Sequence, residues 1–255
     1  GCNFRCGFCQ NWQISQKKEA DALGVNSQAM APEEIVAGAL RTKCKSISYT
    51  YTEPTIFFEY AFEAGKLAKE KGLYNIFVTN GYMTKEALEM IAPYLDAANV
   101  DLKFFNDDSY KKSCGARLQP VLDTISLMRK MDIWVEVTTL VIPGENDSPD
   151  ELGGIAAFLA SAGKEIPWHI SRFHPDYKMT DKGATPLTTL QEAYHIGKNA
   201  GLRYVYIGNV LEEEKTYCYK CQKSLIARMG FEVIENNLKN GRCPECATPL
   251  DGAAF

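Results

Sequence analysis

The chain has 255 residues, 45% hydrophobic and 24% charged, with 28 Lys and Arg against 32 Asp and Glu for a net charge of −4. That length suits one large catalytic core with a small appendage, and the composition excludes a peptide or a disordered tail. The mild acidity gives no reason to expect specific nucleic-acid binding, and no run reaches the roughly 18 apolar residues of a membrane span.

Cysteine is the departure from an ordinary composition: there are nine, at positions 2, 6, 9, 44, 114, 218, 221, 243 and 246. Tight spacing in a chain this long points to metal or cluster ligation in a reducing compartment, so a cytoplasmic location is expected. Cys2-Asn3-Phe4-Arg5-Cys6-Gly7-Phe8-Cys9 puts three thiolates in one loop, able to wrap one inorganic cluster with a metal position left open. A tetrahedral zinc site with a fourth ligand elsewhere is the competing reading of that spacing. Residues 16–31 lack periodicity and read as a loop that orders beside a ligand or as a passive crossover.

Pro32, with Glu33 and Glu34 opposing the amide dipole, opens a helix to about Lys43. Strands are expected at residues 46–51, 76–79, 99–104, 134–140, 168–171 and 204–207, with helical patterns between them. Repeated βα units predict an α/β fold, a partial parallel (β/α) barrel of six strands, followed by a small C-terminal cysteine-rich metal module. The expected division is a catalytic domain at 1–210 and the module at 211–255. Thr52-Glu53-Pro54, Thr79-Asn80-Gly81 and Pro143-Gly144-Glu145 fall at C-terminal strand ends, where such folds collect function. Spacing by two puts Asp101 with Lys103, and Glu136 with Thr138, on shared strand faces.

In the tail, Cys218-Tyr219-Lys220-Cys221 and Cys243-Pro244-Glu245-Cys246 supply four soft ligands. They can close a structural zinc site, although an auxiliary iron–sulfur cluster or a single iron uses the same ligands. Leu225, Ile226, Phe231, Val233 and Ile234 lead one to expect a compact hydrophobic platform there. Cys44 and Cys114 have no close partner and read as buried or partly buried free thiols.

The opening string from Gly1 to Trp12, with its CxxxCxxC spacing and Phe8 before the last cysteine, resembles the radical S-adenosylmethionine superfamily. Within it the whole chain resembles the radical enzymes of the AmmeMemoRadiSam system, relatives of the glycyl-radical-enzyme activases. The resemblance implies that Cys2, Cys6 and Cys9 ligate a [4Fe-4S] cluster and that S-adenosylmethionine binds its unique iron. It implies an external one-electron donor, cleavage to a 5′-deoxyadenosyl radical, and hydrogen abstraction from a substrate, a protein being favoured. A small molecule or an AmmeMemo-system partner is the alternative substrate, and an inactive zinc-containing interaction scaffold the nonenzyme alternative. It implies also a section of chain ahead of Gly1.

Glu53-Pro54 matches the end of the superfamily's Gly-Gly-Glu-Pro-like segment, whose carboxylate receives the methionyl amine, with Tyr51 and Thr52 standing where the glycines do. Val78-Thr79-Asn80-Gly81 resembles the activases' Asp-Thr-Asn-Gly, so Thr79 and Asn80 are expected beside the cofactor while Val78 removes the carboxylate of a cation site. Asp101-Leu102-Lys103 matches their Asp-Leu-Lys, either orienting cofactor or substrate or pairing internally. By the same resemblance Glu136 and Thr138 lie near the ribose and His169 near the cofactor, and Phe4, Phe8 and Trp12 shield the cluster or simply pack.

Overall fold

The computed structural model describes residues 1–16 and 29–252; most of the expected loop at 16–31 lies outside the described residues. Contacts divide the chain into two units, Gly1–Glu136 with Pro175–Lys182, and Val137–His174 with Gly183–Gly252.

The first unit holds the cysteine loop, the single turn α1 (Trp12–Ser15), α2 (Pro32–Arg41), β1 (Ser46–Tyr49), a 3-10 turn (Pro54–Phe57), α3 (Phe58–Glu70), β2 (Tyr74–Thr79), α4 (Lys85–Ile91), β3 (Ala97–Asp101), α5 (Asp107–Cys114) and α6 (Leu118–Lys130). Strand β4 (Trp134–Val141) spans the division. The second unit continues with α7 (Pro149–Ala162), β5 (Trp168–Arg172), α8 (Leu187–Asn199), β6 (Val205–Gly208) and strands β7 (Glu213–Tyr217), β8 (Ser224–Met229) and β9 (Glu232–Asn236).

Six strands form one sheet in chain order, β1-β2-β3-β4-β5-β6, and the β1–β2, β2–β3, β4–β5 and β5–β6 pairs are parallel. The α/β architecture expected from alternating strand and helix patterns is therefore present. Burial alternates strictly along β2 and β4, so one face of each is packed while the other is part-exposed. On the packed face Trp168 is fully buried and its indole N–H donates to Thr139 Oγ1 at 3.0 Å, which satisfies its polar edge. Helix α3 lays Ala61, Ala64 and Ala68 inward with no exposure, small side chains that let the helix approach the sheet.

Helix starts follow local chemistry. Thr84 caps α4, Asn106 caps α5 and Ser148 caps α7, each side chain accepting an otherwise orphaned backbone N–H. Strand ends differ from expectation. Strand β1 stops at Tyr49, and Tyr51 beyond it sits at φ 69°, a left-handed conformation that breaks a ladder. Strand β3 ends at Asp101, so Lys103 lies past the strand rather than on its face.

The tail folds as an antiparallel sheet in the order β7-β8-β9. The expected platform is only partly there: Leu225 packs with Cys218 and Cys243, and Ile226 joins its edge. Phe231, Val233 and Ile234 are exposed, because β9 is an outer strand with nothing described against it. Of the two isolated thiols, Cys114 is buried at the end of α5, whereas Cys44 is exposed in the turn after α2, contrary to expectation. Asp251 accepts from Arg203 and Tyr204, and the Arg203 guanidinium lies 4.1 Å from the Tyr219 ring centre, tying the first cysteine knuckle to the chain just before β6. Among the described residues no helix is long and apolar enough to cross a membrane.

Candidate functional site

The opening loop is anchored by its aromatics. Phe4 and Phe8 are buried, Phe4 edge-on to Tyr82 and Tyr110 and Phe8 edge-on to Phe104. The Arg5 N–H donates to the Cys114 carbonyl at 2.9 Å, pinning the loop to the end of α5. Each thiol then has surroundings of its own. Cys2 Sγ accepts from the Phe4 N–H at 3.3 Å and lies 3.6 Å from Asn80 Nδ2. Cys9 Sγ lies 3.2 Å from Ser15 Oγ. Cys6 is buried, and a bond to the Cys114 thiol together with burial pushes its own thiol up. Burial raises Cys2 to about 11, with the Phe4 N–H opposing and the Glu53 charge adding.

Glu53 stands just past β1 as the N-cap of the 3-10 turn, 2% exposed. Its Oε1 accepts from Thr79 Oγ1 at 2.7 Å, from the Thr55 N–H at 3.2 Å and from the Thr55 hydroxyl; Oε2 accepts from the Asn80 N–H at 2.8 Å. Thr79 and Asn80, at the end of β2, are nearly as buried. The Asn80 side chain then reaches the opening loop, donating to Asn3 Oδ1 at 2.7 Å and accepting from the Tyr82 N–H at 2.9 Å, while Asn3 donates to the Tyr82 carbonyl at 3.0 Å. The Glu53 N–H also donates to the Gly1 carbonyl at 3.0 Å. The structure thus brings Cys2, Glu53, Thr79 and Asn80 into one hydrogen-bonded set. Gly81 next door has φ 71°, and a Cβ there would stand 2.8 Å from Val100 Cγ1, so the close turn leaves no room for a side chain.

At the end of β3, Lys103 Nζ donates to Asp101 Oδ2 at 2.8 Å, the internal pair foreseen as one alternative. Burial works against the Lys103 charge, but Asp101 and the thiols of Cys6 and Cys114 overcome it and hold the ammonium well above its ordinary value. The same ammonium lies 5.9 Å from the Phe8 ring centre, so this pair belongs to the surroundings of the cysteine loop.

On β4, Glu136 and Thr138 occupy the part-exposed face, and Glu136 accepts from the Trp134 indole at 3.1 Å. In the second unit Thr138 is the register partner of His169, and His169 of Tyr206, whose ring it stacks against at 5.3 Å. These three side chains form a row across β4, β5 and β6.

In the tail, the sulfurs of Cys218, Cys221, Cys243 and Cys246 all lie within 4.8 Å of one another. The Cys218–Cys246 and Cys221–Cys243 pairs are 3.6 and 3.5 Å apart. Four sulfurs about 2.3 Å from one tetrahedral ion stand about 3.8 Å from each other, so this cage fits a single metal ion. Two of its thiols are polarised in opposite directions: the Thr248 hydroxyl and N–H lower Cys246 to about 6, while neighbouring thiols and burial outweigh the Lys223 N–H and raise Cys221 to about 12. Among the described residues this is the one such convergent set, and Cys2, Cys6 and Cys9 do not share it. The three opening thiols sit on one short loop, soft donors of the kind that iron–sulfur clusters take.

Sequence reasoning missed Asn3, Thr55 and Tyr82. Thr55 carried a local signal, since a residue two positions after an acidic N-cap donates back to it; the other two carried none. It also missed Asp176 and Tyr177, which contact Trp12 from far along the chain.

Comparison with known proteins places these features. The family model described as the Radical SAM superfamily matches residues 1–154. An uncharacterized protein of Methanocaldococcus jannaschii is 46% identical over 256 residues, covering 98% of this chain and 75% of that protein. A pyruvate formate-lyase-activating enzyme of Clostridium pasteurianum is 23% identical over 201 residues, covering 71% of this chain and 80% of that enzyme. The crystal structure of a domain of a pyruvate-formate lyase-activating enzyme from Bacteroides vulgatus superposes with a TM-score of 0.58 at 18% identity, covering 64% of this chain and 99% of that one.

Proposed function

The chain belongs to the Radical SAM superfamily and is a radical SAM enzyme, and from that premise we propose that it abstracts hydrogen from a protein substrate in the manner of a glycyl-radical-enzyme activase. In this reading Cys2, Cys6 and Cys9 hold a [4Fe-4S] cluster and leave one iron for S-adenosylmethionine. Supplied with an electron from an external donor, cluster and cofactor together provide a 5′-deoxyadenosyl radical.

The chain's own residues bind and orient. Glu53 receives the methionyl ammonium: it is buried, and among the described residues its partners are all neutral donors, so a cation would add a charge-assisted contact. Thr79 and Asn80 hold that carboxylate in place, and Asn80 relays its position to Cys2 and Asn3. Asp101 and Lys103 face the cysteine loop as a fixed pair of charges, and the family resemblance assigns Glu136 and Thr138 to the ribose and His169 to the cofactor. Phe4 and Phe8 keep water from the loop's inner side. The four tail cysteines hold a structural zinc ion, making residues 211–255 a metal-stapled module that follows a catalytic domain at 1–210 in the chain.

The observation that carries this reading is the Asn80 link, which joins the proposed cluster loop to the proposed amine acceptor through one residue, its backbone N–H on Glu53 and its side chain on Cys2 and Asn3. Its test is anaerobic reconstitution of the protein with iron and sulfide, then reductant and S-adenosylmethionine. The reconstituted protein is expected to release 5′-deoxyadenosine, detected by mass spectrometry, and Cys6→Ala to release only background. A protein with no iron cluster, or undiminished cofactor cleavage by Cys6→Ala, would refute the assignment. A glycyl-radical signal in a candidate partner by electron paramagnetic resonance tests the substrate class.

A further inference from the structure

Pro175–Lys182 follows β5, yet its contacts place it in the first unit with the opening loop. The segment makes a tight turn: the Met179 N–H donates to the Asp176 carbonyl at 3.0 Å, and Tyr177 adopts φ 52°. Three contacts converge from it on the loop. The Lys178 N–H donates to the Gly7 carbonyl at 3.1 Å. The Trp12 indole N–H donates to Asp176 Oδ1 at 3.3 Å. The Trp12 and Tyr177 rings stack, with centroids 5.1 Å apart and planes 12° from parallel. The Lys178 ammonium lies 4.7 Å from the Tyr177 ring centre, adding a cation to the stack.

Gly7 and Trp12 bracket Cys9 in the chain, and between them the Cys9 N–H donates to the Cys6 carbonyl at 3.3 Å. A loop opens locally less often when contacts from elsewhere in the chain hold it on both sides. We propose that the Asp176–Lys178 turn is a clasp that positions the cysteine loop on both sides of Cys9 and slows loss of the cluster. The inference rests on Cys2, Cys6 and Cys9 being the cluster ligands, and it assigns the turn a positioning role. Opening the loop at Cys9 requires the Trp12–Tyr177 stack to part. Removing one ring therefore raises the open population by the factor such a stack supplies, about threefold to tenfold.

The test compares reconstituted wild type with Tyr177→Ala, Tyr177→Phe, Trp12→Ala and the Trp12→Ala/Tyr177→Ala double variant. The readouts are iron release to a chelator and the paramagnetic resonance line shape of the reduced cluster, with tail zinc content as the check on folding. Tyr177→Ala and Trp12→Ala are expected to release iron about threefold to tenfold faster, the double variant no faster than Trp12→Ala, which already lacks both the stack and the bond to Asp176, and Tyr177→Phe at the wild-type rate. Release from Tyr177→Ala at the wild-type rate with an unchanged line shape, or fully additive single effects, overturns the clasp. Should Tyr177→Ala lose its tail zinc, Asp176→Ala replaces it, with faster release expected and an unchanged rate overturning the proposal. Wild type that takes up no iron overturns both the clasp and the functional reading, whereas a stable wild-type cluster with an insensitive Tyr177→Ala removes the clasp alone.

Discussion

The chain's two cysteine clusters are both closely spaced in sequence, and each has its own local surroundings. The tail thiols crowd toward one point at tetrahedral spacing and share a small core with Leu225. The opening thiols each have a different neighbour, Cys2 beside Asn80, Cys6 beside Cys114 and Cys9 beside Ser15. Close spacing by itself therefore says only that metal is wanted. Convergence of four sulfurs is what a single closed metal site needs, and spacing alone does not reveal it.

The largest expected effect breaks that comparison directly. Cys243→Ala should abolish tail metal binding and disorder the small sheet, because a buried sulfur is both ligand and core, while iron uptake at the opening loop persists. Metal analysis of the purified variant checks this, and joint loss of iron and zinc would make the two sites one. Next, Glu53→Gln keeps the shape of the carboxylate but not its charge. S-adenosylmethionine binding, measured by calorimetry, should weaken by about tenfold to a hundredfold, the loss of a charge-assisted bond. Gly81→Ala forces a Cβ against Val100 at a left-handed turn and should cost about 1–3 kcal/mol in urea unfolding while sparing the tail metal.

The smallest effect concerns α5, whose last residue Cys114 carries the carbonyl that pins the opening loop. The Leu118 N–H and the Arg117 guanidinium lower Asp107 to about 2. A carboxylate depressed in the folded state stabilises it above the unfolded value of about 4 and loses that contribution as pH falls through about 2. Asp107→Asn should therefore melt slightly below wild type at neutral pH, with the gap closing over that acid window. A gap that widens with acidity would contradict the sign.

Much of this arrangement was legible beforehand because it is local. Cysteine spacing, the Pro32-Glu33-Glu34 helix start and the six strand patterns each depend on residues within a few positions. Boundaries slipped where one residue's conformation intervened, as at Tyr51, or where a side chain past a strand still faced its neighbour, as Lys103 faces Asp101. Exposure was least legible: Cys44 and Cys114 look alike in the chain, and only packing buries one of them. The apolar residues of β9 misled for the same reason, since an outer strand exposes what a central one would cover.

The amino-acid order alone determined the kinds of ligand, their grouping, and the alternation that makes a βα sheet, because thiol chemistry and backbone periodicity act over short stretches of chain. Only the folded chain decided that Asn80 joins Cys2 to Glu53, that Asp176 and Tyr177 meet Trp12, and that the four tail sulfurs converge. Those contacts join residues tens of positions apart, and their geometry follows from how whole elements pack.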